Sequence, residues 1–178
     1  MRRLRDTGSA SPFYLLTNLI FLELSCEGFS MKDLIVKSTA FENNQLIPLK
    51  YTCDGDEVNP PLTIAGTPEE TRSLVLIVDD PDAPMGTWDH WVVWNIPPTT
   101  TEIGENTVPG VEGKNTARTH SYDPPCPPSG THRYFFKVYA LDSTLDLKPD
   151  SNRKDVEKAM QGHMLAKGEL VGRYHRTR

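Results

Sequence analysis

The chain has 178 residues, 37% of them hydrophobic and 24% charged, with a formal net charge of −5 and 15 prolines. Its length suits one domain, and the composition excludes a disordered or membrane-embedded chain. A pI near 5.5 leaves no basic footprint for nucleic acid, while proline at this density disfavours a helical bundle and favours strands joined by structured loops.

Residues 1–30 differ in character from the rest of the chain. Arg2, Arg3 and Arg5 make a basic start, and an apolar stretch from Phe13 to Leu24 is broken by Thr17, Asn18 and Glu23. The outline is that of a secretory signal, but Asp6 offsets the basic region and no Ala-x-Ala site comes after it. The stretch is also too short and too polar for a membrane span of roughly 20 residues. Three readings stay open for this N-terminal extension: an upstream-start artefact, a disordered tail, or a signal-like segment. The domain is expected to occupy residues 31–178.

From Lys32 the chain reads as strands separated by turn chemistry. Ile35 and Val36 lie in a short β-prone run, and residues 51–61 are turn-rich, with Asp54-Gly55 and Asn59-Pro60. Residues 73–79 (SLVLIVD) are nearly continuous apolar and β-branched, the pattern of a fully buried central strand. Pro81 and Pro84 stop it. Residues 91–96 (WVVWNI) form a second buried strand, ended by Pro97-Pro98. Residues 99–129 make a loop long enough to be functional or to hide short strands.

Residues 133–141 (RYFFKVYAL) alternate Tyr134, Phe136, Val138 and Ala140 against Arg133, Phe135, Lys137 and Tyr139, a clear strand. Near the end, Asp150 or Ser151 can cap a helix carrying Val156, Met160 and Met164 at helical spacing, with Arg153 and Glu157 paired on its wet face. Gly168 is expected to terminate it before a last strand. The fold class is therefore mainly β, largely antiparallel, with a C-terminal helix.

Cys26, Cys53 and Cys126 match no zinc spacing and fall short of a disulfide scaffold. At most one internal bridge is possible, and free thiols are expected if the protein is cytoplasmic.

Polar groups concentrate at the ends of the buried strands. Asp79-Asp80-Pro81-Asp82-Ala83-Pro84 leads into Gly86-Thr87-Trp88-Asp89-His90-Trp91, and a proline-rich run through Cys126 and Pro127 leads into His132-Arg133-Tyr134. Each segment puts a histidine at a strand entrance, on a frame stiffened by proline, which suits a preorganised site. Asp82 reads as a turn residue, Trp91 and Trp94 as packing, and His120, His163 and His175 as surface groups. No Gly-x-Ser-x-Gly elbow is present, and neither Ser129 nor Thr131 sits in a nucleophile turn, so a hydrolase is the weaker alternative. Asp80, His90 and His132 could also form a facial triad for a divalent metal, a second alternative.

Residues 79–97 (DDPDAPMGTWDHWVVWNIP) and 124–142 (PPCPPSGTHRYFFKVYALD) closely resemble the two signature segments of the phosphatidylethanolamine-binding protein (PEBP) family. The likeness is to its bacterial and archaeal branch, often labelled Raf-kinase-inhibitor-like, and extends to IPLKYTCDG and AMQGHMLAKGELVGRY. The resemblance implies a large antiparallel sheet faced by a smaller one, with a phosphate-accepting pocket at one end. Matched by motif, that pocket is lined by Asp80, Pro84, Trp88, His90, His132 and Tyr134, with the backbone around Cys126 and Pro127. Asp80 would hold a nearby imidazole oriented and partly protonated. Two imidazole N–H groups and a tyrosine hydroxyl would then grip a phosphoryl oxygen.

The implied function is non-enzymatic: a binding or regulatory protein with no catalytic residue and no cofactor. Its ligand would be a phosphate-containing small molecule or a phospholipid headgroup, its partner a kinase or a protease, and its state a monomer or homodimer. The compartment implied is the cytoplasm, or export if residues 1–30 act as a signal. Two departures from the family pattern stand out. Asp123-Pro124 replaces the usual Gly-Gly pair before Cys126, reshaping one wall and adding a negative charge. TARTHSY (residues 116–122) lacks the usual aromatic-glycine run.

Overall fold

The computed structural model describes residues 32–176, so the expectations for residues 1–30 and for Cys26 lie outside the described residues. Two sheets carry the fold. The strands are β1 (Lys32–Asp33), β2 (Ile35–Lys37), β3 (Leu62–Ala65), β4 (Ser73–Asp80), β5 (Trp88–Ile96), β6 (Glu102–Ile103), β7 (Val111–Glu112), β8 (His132–Leu141) and β9 (Met164–Tyr174). The larger sheet runs β1-β9-β8-β4-β5-β7 and the smaller β2-β3-β6. The β1–β9 pairing is parallel and the other pairings of the larger sheet are antiparallel, so the largely antiparallel expectation holds with one parallel edge.

β4 lies between β8 and β5 with every residue buried, as its unbroken apolar run requires. Its alternate side chains serve two cores. Leu74, Leu76 and Val78 pack with Tyr134, Phe136, Val138, Val36 and Ile64 between the sheets. Val75 and Ile77 pack with Val92, Trp94, Val156 and Met160 on the outer face, beneath the helix. Full burial of each such side chain stabilises by about 1.5–3 kcal/mol. The long loop at 99–129 contains the two short strands β6 and β7.

The C-terminal region departs from expectation. Helix α1 covers only Arg153–Ala159, and its cap is Asn152, whose side chain accepts from the backbone of Lys154 and Asp155 while Asp155 caps in return. Asp150 and Ser151 do not fill that role. The chain turns at Gly162, which sits at φ +81, a conformation glycine adopts at no steric cost. Met164 then begins β9, and Gly168 lies inside that strand, where an added Cβ would strike the Leu34 carbonyl. Met164 still packs on the outer cluster, so the four-residue apolar spacing was satisfied by a turn and a strand instead of a longer helix.

Candidate functional site

The last two residues of β4 are both aspartates and point to opposite faces. Asp79 is fully buried on the outer side, where Lys137 Nζ reaches it at 2.6 Å and Arg153 Nη1 at 2.7 Å. Arg153 also pairs with Asp89 at 3.0 Å and Glu157 at 2.6 Å. Asp80, on the inner side, holds His132 Nδ1 at 2.7 Å through Oδ2, while Oδ1 accepts from the Asp82 backbone N–H at 2.8 Å. One carboxylate thus shapes the turn and fixes an imidazole.

A β-bulge places the next group. Val78 pairs with Trp91 but Asp79 pairs with Asp89, so His90 is the extra residue in β5. Without that insertion, simple alternation from Trp91 would turn Trp88 to the outer face; the bulge returns Trp88 to register with Asp80 on the inner face. β8 supplies the remaining pair by plain alternation, with His132 and Tyr134 on the same face as Phe136.

These groups converge on a cavity of about 440 Å³ at the end of the larger sheet, lined by Asp80, Pro84, Trp88, His90, Cys126, Pro127, His132 and Tyr134 together with Ala83, Met85, Asp123, Pro124 and Pro128. All eight residues carried over from the family motifs meet there. Sequence reasoning left Asp123 off the set of site residues but marked Asp123-Pro124 as a departure that reshapes one wall and adds a negative charge. Asp123 is central: Trp88 Nε1 donates to Asp123 Oδ2 at 2.7 Å, and His90 Nδ1 lies 2.7 Å from the Asp123 carbonyl oxygen. The Asp123 backbone N–H in turn donates to the His90 carbonyl at 3.0 Å.

Burial pushes the His90 imidazole below its ordinary pKa, outweighing the hydrogen bond to Asp123 and the nearby carboxylates of Asp123, Asp80 and Asp79. His90 therefore stands neutral near pH 7 with its Nδ1 proton committed to a carbonyl. Nε2 is then the ring nitrogen that His90 leaves for the cavity. Tyr134 is fully buried, and burial raises its phenol, with the Asp80 carboxylate adding to the effect. Its hydroxyl is thus a neutral donor, and it has no hydrogen-bond partner among the described residues.

Asp82 does more than turn work. Its carboxylate accepts from the Arg133 backbone at 3.0 Å and from the guanidinium at 2.7 and 2.8 Å, tying the loop after β4 to β8. Arg133 holds the Asp82 carboxyl below its usual range.

Cys53 and Cys126 form a disulfide, with Cα atoms 5.4 Å apart, which overturns the free-thiol expectation. The bridge fastens the wall around Cys126 to the turn following Tyr51. Two hydrogen bonds support it: Cys53 N–H to the Pro125 carbonyl at 3.2 Å, and the Tyr122 hydroxyl to the Tyr51 carbonyl at 3.1 Å. Trp91 and Trp94 are core residues, as expected. His120 and His163 are exposed and pair with Asp150 and Asp142; His163 sits in the turn before β9 and not on the helix. Among the described residues, no group of three or more His, Cys, Asp or Glu side chains could hold a metal ion. Asp80 orients His132 from behind and does not share a centre with the ring nitrogens.

The sequence profile of the family described as Phosphatidylethanolamine-binding protein matches residues 37–175. The chain belongs to the PEBP family. A UPF0098 protein of Pyrococcus horikoshii is 49% identical over 175 residues, covering 91% of this chain and 87% of the relative. A UPF0098 protein of Methanothermobacter thermautotrophicus is 50% identical over 149 residues, covering 79% of this chain and 98% of the relative. Among solved structures, a putative PEBP homologue from Chlamydia trachomatis superposes with a TM-score of 0.80 at 40% identity, covering 82% of this chain and 99% of its own. E. coli YbcL, a member of the mammalian PEBP family, gives 0.75 at 28% identity with the same coverage. PEBP membership supports a binding or regulatory protein in general, and among the described residues no helix is long and apolar enough to cross a membrane.

Proposed function

We propose that this PEBP-family protein is a non-enzymatic binding or regulatory module whose cavity takes a phosphoryl group, from a phosphorylated small molecule or a phospholipid headgroup. The observation that carries the reading is the Tyr134 hydroxyl, buried beside His90 and His132 without a partner among the described residues. An unpaired buried hydroxyl costs about 1–3 kcal/mol, a penalty that a ligand oxygen accepting from it removes. With Nδ1 held by Asp80, His132 meets a ligand through Nε2, its ring fixed in orientation by that carboxylate.

A kinase or protease is the partner class this reading carries over from the family resemblance, with the cavity as the regulated element. The disulfide supports the exported alternative over the cytoplasm, since such bridges form and persist in oxidising surroundings. The test is a calorimetric titration of inorganic phosphate into the wild-type protein, His132→Ala and Tyr134→Phe. Loss of a hydrogen bond to a charged partner costs roughly 1.5–3 kcal/mol, so each variant should bind about ten- to a hundredfold more weakly. Unchanged affinity in both variants, with the fold intact by circular dichroism, would place the anion elsewhere.

A further inference from the structure

The disulfide belongs to the cavity wall and not to either core. Cys126 is exposed and lines the cavity, whereas Cys53 is half-buried in the turn after Tyr51. A bridge buried among strands meets a reductant only when the fold opens. An exposed one is open to thiolate attack in the native state, and such bridges are the labile ones. The rest of the wall is fastened unevenly. Asp123 is tied to β5 by its reciprocal bonds with His90 and by the bond from Trp88. Pro125 accepts from the Cys53 N–H. Residues 124–128 read Pro-Pro-Cys-Pro-Pro, and proline has no N–H, so Cys126 alone in this stretch has a backbone donor. A ladder of backbone hydrogen bonds cannot hold such a segment; at Cys126 a covalent bond does so, and Pro127 follows it in the lining. The other side of the cavity is set independently, since Asp80, His90, His132 and Tyr134 all sit on strands β4, β5 and β8.

We infer that the Cys53–Cys126 bridge is a thiol-exchange site that controls the shape of the cavity. One thiolate of a dithiol reductant attacks Cys126 Sγ and bonds to it. The Cys126–Cys53 bond breaks, and its electron pair leaves on Cys53 Sγ, which takes a proton from water. The second thiolate of the reductant then attacks its own first sulfur, closing the reductant's disulfide and releasing Cys126 as a thiolate. Two electrons pass to the protein, and one bridge becomes two thiols. The Cys126–Pro127 part of the wall is then untethered, while the strand-borne groups keep their places. A preorganised cavity binds more tightly than one that must be ordered on binding. Binding and bridging are therefore linked, and a ligand that prefers the bridged wall holds the bridge closed by the same factor. The effect on the ligand rests on the phosphoryl reading above; the exchange at Cys126 does not.

Two measurements on the full folded chain test this. In the first, reduced glutathione is added without denaturant, the reaction is stopped by acid and alkylation, and the peptides are mapped by mass. The trapped species should carry glutathione on Cys126 and the alkyl group on Cys53. An adduct on Cys53 instead would overturn the assignment to Cys126, and exchange seen only in denaturant would overturn the inference as a whole. In the second, calorimetry compares inorganic phosphate binding to the bridged and the reduced protein. The bridged-to-reduced ratio is then measured in a dithiothreitol redox buffer, with phosphate or with sodium chloride at equal ionic strength. The reduced protein should bind phosphate about fivefold or more weakly, and saturating phosphate should raise the bridged-to-reduced ratio by the same factor. Equal affinity of the two forms would overturn the control of the cavity by the bridge. No binding by the bridged protein would overturn the phosphoryl reading, a result on which the glutathione map does not depend.

Discussion

Removing the Cys53–Cys126 bridge gives the prediction with the best-defined magnitude. The two cysteines are 73 residues apart, and the loop they close contains β3 through β7. On the chain-entropy account, closing a loop of that length in the unfolded chain contributes about 4 kcal/mol at 25 °C. A domain of this size loses roughly 2–4 °C of Tm per kcal/mol, so Tm should fall by about 8–16 °C. The double variant Cys53→Ser/Cys126→Ser avoids an unpaired thiol. The Cys53–Pro125 and Tyr122–Tyr51 hydrogen bonds remain, each contributing about 1 kcal/mol, so the chain still folds but the wall carrying Asp123, Pro124 and Pro127 is held less firmly. Phosphate affinity should fall with it. Scanning calorimetry of the double variant against the wild type, with intact mass measured before reduction, checks both steps. A mass without a two-hydrogen deficit, or a double variant melting within about 2 °C of wild type, would refute the reasoning.

The remaining predictions concern the two faces of β4. Because burial depresses His90, the ring is neutral in both states above the ordinary ~6.5. Below that the unfolded chain takes up a proton that the folded chain does not, and stability falls until the folded-state pKa is reached. Unfolding midpoints between pH 7.5 and 5.5 should therefore drop less in His90→Gln than in wild type; coincident slopes would contradict the buried neutral ring. On the outer face, Arg153→Met leaves Asp79 with Lys137 alone and beside Asp89. Breaking a buried pair costs about 3–5 kcal/mol, less where a second cation remains, so a loss of roughly 1–3 kcal/mol is expected in urea unfolding. Phosphate affinity should not change, since Arg153 lies across the sheet from the cavity; a large loss of binding would mean the faces are coupled.

Much of the frame was legible because it obeys a simple period. β4 is unbroken apolar sequence and is buried on both faces, and β8 alternates with Tyr134 and Phe136 inward. The site residues were legible through long motifs, DPDAP with its following histidine and His-Arg-Tyr. The region around residues 160–168 misled because Met160 and Met164 are spaced as helix neighbours, yet a turn at Gly162 delivers both to the same outer cluster. Nothing in DHWVVW marks His90 as a bulge; that register is set by which β4 residue each β5 residue meets. Cysteine spacing likewise could not choose between free thiols and a bridge.

By itself the sequence determined which strands form, which end of them collects the charge, and which residue types meet there. Only the tertiary structure decided what those residues do. Asp80 reaches His132 across 52 positions and His90 meets Asp123 across 33, so the tautomer and orientation of each ring come from a partner that no local window contains. The lowered pKa of His90 follows from desolvation, and burial is a property of the assembled molecule. The chain order supplies the two histidines alike; their surroundings give one a carboxylate and the other a carbonyl, and that difference separates their roles.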